Sequence, residues 1–92
     1  MGPLSIKTEP IDLRLIVEET LDTVSFLAGA KFLQMKSDLQ ATPEILGDRI
    51  LFRQILLNLV GNAIKFTPEH AAIEISLEHD DSEIRLRVRD SG

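Results

Sequence analysis

Asp48-Arg49-Ile50-Leu51-Phe52-Arg53-Gln54-Ile55-Leu56-Leu57-Asn58-Leu59-Val60-Gly61-Asn62-Ala63-Ile64-Lys65-Phe66 is the stretch on which the reading of this chain turns. Asp48 is a good N-cap for a helix. Thr67-Pro68 halts it at about Lys65 or Phe66, because a residue before proline is steered out of the helical region. The helix expected over 48–66 is apolar around most of its circumference. At about 100° per residue, Gln54, Asn58, Asn62 and Lys65 fall in one narrow stripe. Such a stripe is usually a solvated face on an otherwise buried helix. Two details weigh against that here. Asn costs roughly 0.5 kcal/mol per helical site relative to Ala, so Glu, Lys or Gln would solvate the face more cheaply. The stripe also carries no acid, although the chain has fifteen. A carboxamide oxygen is a hard, uncharged ligand, suited to a Mg²⁺ whose charge is met by phosphates. A lysine beside it supplies the cation that a polyphosphate wants. On spacing alone, a nucleotide-phosphate site and a plain solvated face both stay open.

Around this segment the chain orders itself simply. Residues 1–10 read as a lead-in, closed by Pro10. Asp12 caps a first helix, in which Leu13, Ile16, Val17, Leu21, Val24, Leu27 and Ala28 recur at helical spacing and make one apolar stripe. That helix is expected to end between Gly29 and Phe32. Leu33, Met35 and Leu39 alternate with polar residues as a strand, with Ser37 interrupting its apolar face. Ala41 to Glu44 is a loop, and Gly47-Asp48 introduces the second helix. A hairpin follows over 72–90: Ile73, Ile75 and Leu77 share one face with Ile84, Leu86 and Val88, while Arg85, Arg87 and Arg89 take the other. A turn centred on Asp80-Asp81 predicts Glu74 opposite Arg87. The three arginines read as a solvated face paired with acids, and His70 and His79 as solvated loop and hairpin residues. The order helix, strand, helix, hairpin gives an α+β two-layer sandwich, with two helices on one face of the sheet.

Ninety-two residues allow one small domain. Hydrophobic residues at 43% and charged ones at 27% exclude a disordered or collagen-like chain. Fifteen acids against ten bases give a net charge of -5, which disfavours nucleic acid or an anionic membrane as partner. The absence of cysteine excludes disulfides, thiolate catalysis and cysteine-based zinc sites, and two histidines do not suggest a metal cluster. The longest uncharged apolar stretch, Gln54 to Ile64, is about half of a bilayer span. With no basic-then-apolar start after Met1, the chain reads as soluble and cytoplasmic.

The run Arg53 to Pro68 closely resembles the N box of sensor histidine kinases, the kinases of two-component signalling. Gly47-Asp48 before it, and Pro10-Ile11-Asp12-Leu13 opening the first helix, fit the same family. Asp90-Ser91-Gly92 resembles the start of its G1 box, and the likeness covers the chain from about Ser5 to the end. The resemblance implies a Bergerat-type ATP-binding fold on a mixed sheet, with residues 1–92 forming part of it. It implies that Asn62 gives its carboxamide oxygen to Mg²⁺ on the ATP phosphates, with Asn58 nearby in the phosphate or metal shell. Lys65 would contact phosphate, and Asp90 would accept a hydrogen bond from the adenine amine. Gly92 would let the backbone approach base or ribose. Phe66 would pack at the base end of the pocket or in the core below it. Asp90 also fits a plainer role, as the polar residue that ends a strand before a turn.

The same resemblance implies a protein-histidine kinase that, when intact, transfers the ATP γ-phosphoryl group to a histidine for relay to a response regulator. No catalytic residue is expected in this chain, because the phosphoacceptor histidine of the family lies on a separate dimerisation helix. The family's domain continues past the G1 box into a flexible lid and a second glycine box, so this chain alone is expected to be inactive. The expected partners are ATP, the histidine-bearing dimerisation domain, a response regulator, and a second copy covering an uncovered sheet edge. The resemblance is compatible with a cytoplasmic domain of a parent protein anchored in the inner membrane. A truncated interaction module that docks on kinase or regulator partners without nucleotide is the alternative. A topoisomerase, mismatch-repair or chaperone ATPase of the same fold ranks well behind both.

Overall fold

The computed structural model describes residues 7–91, so the reading of Gly92 and most of the lead-in lie outside the described residues. The elements run β1 (Glu9–Ile11), α1 (Leu13–Ala30), β2 (Gln34–Leu39), β3 (Ile45–Gly47), α2 (Arg49–Phe66), β4 (Ala72–His79) and β5 (Ile84–Asp90).

Both helices start where a carboxylate waits for their first free N–H groups. Asp12 accepts from the Leu15 amide at 3.4 Å. Asp48 accepts from the amides of Ile50 and Leu51 at 2.9 and 3.2 Å, and its other oxygen takes the Lys7 amide at 3.2 Å. α1 buries Leu13, Ile16, Val17, Thr20, Val24 and Ala28. Thr20 fits this face because its hydroxyl donates to the Ile16 carbonyl at 2.8 Å. Leu27, expected in the stripe, is instead exposed. From α2 only Leu56, Val60 and Ile64 are buried, each one turn from the next.

β2, β4 and β5 form a three-stranded sheet in the order β2-β4-β5, parallel between β2 and β4 and antiparallel in the hairpin. Ile73, Ile75 and Leu77 of the central strand are at most 1% exposed and join the helix residues in one core. α1 packs on α2 and touches β2, and α2 touches β5, so both helices cover the same sheet face. The molecule is a slab 17 Å thick, one helix layer on one sheet layer. β1 and β3 pair antiparallel as a separate two-stranded ribbon that the sequence reading missed. Each strand has three residues and β1 contains Pro10, so neither shows an alternation to read. A Cβ on Gly47 would lie 2.6 Å from the Phe52 ring, so the glycine lets that ring pack close against the ribbon.

The hairpin register corrects one expectation. Glu74 stands opposite Arg89, Ser76 opposite Arg87 and Glu78 opposite Arg85, a shift of two residues along β5. The cause lies in the loop. The Asp80 carboxylate accepts from the amides of Ser82 and Glu83 at 2.8 and 3.0 Å, and the Asp80 amide donates to the Glu83 carbonyl at 3.0 Å. That side-chain turn moves the hairpin axis to between Asp81 and Ser82. Arg85 then reaches Glu78, Asp80 and Glu83. Among the described residues β5 is an edge strand. Antiparallel pairing of β5 with its own copy would set arginine against arginine, a repulsion that blunts this edge.

Two measurements follow. Asp48→Ala removes the cap of α2 and should lower the unfolding free energy by about 1 kcal/mol in urea titrations, with an unchanged m-value. The Asp80 carboxyl is held well below the usual carboxylate range, first by the Ser82 amide and then by Arg85. Its folded value is the lower one, so the turn gains full support above the unfolded value of about 3.9 and loses it only as pH falls further. Carboxyl-carbon NMR should find Asp80 ionised at about pH 3; a midpoint at the ordinary value would show that the turn is not formed.

Candidate nucleotide-binding site

Because α2 buries so narrow a strip, its opposite side is open. Gln54, Asn58, Asn62 and Lys65 are all exposed along it. Beside them run Leu51, Ile55, Leu59 and Phe66, of which Ile55 is 60% and Phe66 76% exposed. That exposure removes the core role for Phe66. The Lys65 ammonium lies 5.4 Å from the centre of the Phe66 ring and has no ion pair among the described residues. Arg53, in contrast, is held by Glu19 of α1 at 2.7 Å.

The far end of the sheet supplies the next residue. Asp90 is the last residue of β5 and stands opposite Ile73, with the same alternation as Ile84, Leu86 and Val88. It therefore belongs to the helix-side face. α2 runs through Thr67–Ala71 straight into β4, so this end of the sheet is the one next to the last turn of α2. Ser91 clamps it: the Ser91 amide donates to the Ala72 carbonyl at 3.0 Å, and the Ala72 amide donates to the Ser91 hydroxyl at 2.9 Å. A hollow of about 310 Å³ is lined by Asp90 together with Lys36, Ala72, Glu74, Arg89 and Ser91, and not by α2. Lys36, Glu74 and Arg89 lie side by side on the outer sheet face. The structure thus brings Asn58, Asn62 and Lys65 onto one open wall and puts Asp90 at the same end of the molecule, in a hollow that these three do not line.

One residue escaped the sequence reading altogether. The Lys31 ammonium, at the C-cap of α1, donates to the Ile64 and Lys65 carbonyls at 2.7 and 3.1 Å and to that of Thr67. The only local hint was a lysine placed just after a helix, and its target lies 34 residues away at the end of another one.

Chemically, the open wall offers uncharged carboxamides and a free ammonium with no carboxylate among them. That donor set fits a polyphosphate arriving with its own divalent cation, since an acid here would repel the phosphates. Three or more His, Cys, Asp or Glu side chains placed to hold a metal by themselves do not occur among the described residues. No helix among them is long and apolar enough to cross a membrane.

The family described as Histidine kinase-, DNA gyrase B-, and HSP90-like ATPase matches residues 47–92. The sensor histidine kinase GacS of Pseudomonas protegens is 37% identical over 97 residues, covering 99% of this chain and 11% of that protein. Full-length ShkA, solved in complex with AMPPNP, is 28% identical with a TM-score of 0.79 over 95% of this chain and 19% of its own. Histidine kinase ThkA, solved with the response regulator protein TrrA, shares the fold at a TM-score of 0.86, with 24% identity over 95% of this chain and 26% of its own. The chain spans 6% and 11% of the lengths of two curated relatives that it matches. On the family match and with two helices on a mixed sheet, the chain belongs to the histidine kinase-, DNA gyrase B- and HSP90-like ATPase family, and sensor histidine kinases are among its relatives there.

Proposed function

We propose that α2 forms one wall of a Mg-ATP site in a protein-histidine kinase. Asn62 gives its carboxamide oxygen to the cation, with Asn58 beside it in the phosphate or metal shell. Lys65 contacts phosphate, Asp90 accepts from the adenine amine, and Gly92 lets the backbone approach base or ribose. The cation, when bound, neutralises phosphate charge. The residues of this chain bind and orient the nucleotide, and none of them takes the phosphoryl group. In the whole protein the γ-phosphoryl group passes to a histidine on a dimerisation domain and then to a response regulator, the kind of partner with which ThkA was solved.

The observation that carries this reading is the exposed, acid-free stripe of α2 in a chain with fifteen acids. Solvation alone does not call for it, since two asparagines weaken an exposed helix where glutamates would strengthen it. The free ammonium at its end supports the same reading, as does the position of Asp90 at the adjoining end of the sheet.

Amide NMR during titration with Mg-ATP tests it. Saturable shifts should cluster at Asn58, Asn62, Lys65 and Asp90. Asn62→Asp places a negative charge beside the phosphates and should weaken binding by about tenfold or more. A well-folded chain without shifts at millimolar Mg-ATP would leave the interaction-module alternative instead. A second measurement separates site from solvated face. Asn58→Ala and Asn62→Ala should each raise stability by about 0.5 kcal/mol while weakening nucleotide binding, the trade expected where helix stability has been given up for a ligand.

A further inference from the structure

The last carbonyls of any α-helix lack partners within it. In α2 the Ala63 carbonyl is taken by the Thr67 amide at 3.0 Å, and the next two are taken by Lys31. With the Thr67 carbonyl, three main-chain oxygens surround one ammonium, which matches its three donors. No carboxylate pairs with Lys31 among the described residues, so its charge faces the negative end of the α2 dipole.

The rest of this corner holds Lys31 in place. Its own carbonyl accepts the His70 amide at 3.2 Å, and the Gln34 amide donates to the Ala71 carbonyl at 3.0 Å. Phe32 and His70 both adopt left-handed backbone, at φ 56° and 68°, and stack their rings 5.1 Å apart and within 5° of parallel. Left-handed backbone is costly for side chains with a Cβ. Both such residues of the described chain sit at this one joint, where the α1–β2 and α2–β4 connections are bound together.

We propose that Lys31 is a positioning residue for the nucleotide wall: its ammonium closes the end of α2 and so fixes where the last turn presents Lys65, and to a lesser degree Asn62. The role rests on the Mg-ATP reading above. It is graded along the helix, because the influence of a terminal charge fades within about one turn. Lys65 lies in the last turn, Asn62 one turn earlier and Asn58 two turns earlier, beyond its reach.

The test uses the 92-residue chain as wild type, Lys31→Met, Lys31→Arg, Lys65→Met and the double variant Lys31→Met/Lys65→Met, each titrated with Mg-ATP by NMR. Lys31→Met should weaken binding by about tenfold, the scale of a charge–helix-end contact in a partly buried site. Lys31→Arg should recover most of the loss. Before nucleotide is added, Lys31→Met should shift the Lys65 and Asn62 signals and leave the Asn58 carboxamide unmoved. In the Lys65→Met background the further loss from Lys31→Met should shrink, because Lys31 acts chiefly through Lys65. If Lys31→Met does not fold, Lys31→Gln, which keeps two N–H donors without the charge, carries the same comparisons. Wild-type binding with undiminished affinity in Lys31→Met overturns the positioning role alone, and so does a loss that is equal in both backgrounds. Absence of binding by the folded wild type overturns the nucleotide reading and this role with it.

Discussion

Leu56, Val60 and Ile64 are the fully buried residues of α2, with Phe52, Leu57 and Ala63 packed partly against the same core, and the narrowness of that contact governs the rest of the molecule. A helix this rich in apolar residues is ordinarily enclosed on several sides. Here one helix layer lies on one sheet layer in a slab 17 Å thick, so α2 has core beneath it and α1 beside it. The side of the helix away from core and α1 faces outward. The outward side therefore carries the polar stripe Gln54, Asn58, Asn62 and Lys65 beside exposed Leu51, Ile55, Leu59 and Phe66. A carboxamide stripe bordered by apolar side chains offers hydrogen-bonding groups and apolar contact area side by side.

Such a wall works only if its geometry is fixed, and the fold fixes both ends by charge. Asp48 receives two amides at the start of α2, and Lys31 serves the carbonyls at its finish. The two ends differ in kind. Asp48 is a neighbour in sequence, so its cap forms with the helix itself. Lys31 arrives from α1 only after the two helices have packed, which couples the last turn of α2 to the corner made with β2 and β4. The Glu19–Arg53 pair joins the same two helices further up, but both side chains are over 40% exposed and such pairs contribute about 0–1 kcal/mol.

How much of this was legible follows from how local each feature is. The N-caps Asp12 and Asp48, the stop at Thr67-Pro68 and the alternation of Ile73, Ile75 and Leu77 depend on a few neighbouring residues, and the structure has them where the pattern put them. The β1–β3 ribbon depends on three pairs between residues 34 to 38 positions apart, with nothing periodic in either strand. The hairpin register depends on one side chain, since Asp80 claims the Ser82 and Glu83 amides and moves the axis by one residue. Leu27 fits the helical period of α1 and still ends exposed, because period says which face a residue shares and not how far the covering layer extends.

At the candidate site, residue type and order already set the chemistry: two asparagines and a lysine on one acid-free helical stripe, and an aspartate closing β5. Those are consequences of residue type and of 3.6 residues per turn, and no packing can alter them. Tertiary structure alone decided that the stripe is open to solvent, that Phe66 is outside the core, and that Asp90 stands at the sheet end adjoining the last turn of α2. It alone brought Lys31 to the end of another helix, because that contact is between charge and main-chain oxygens, and backbone carbonyls carry no signature in a sequence.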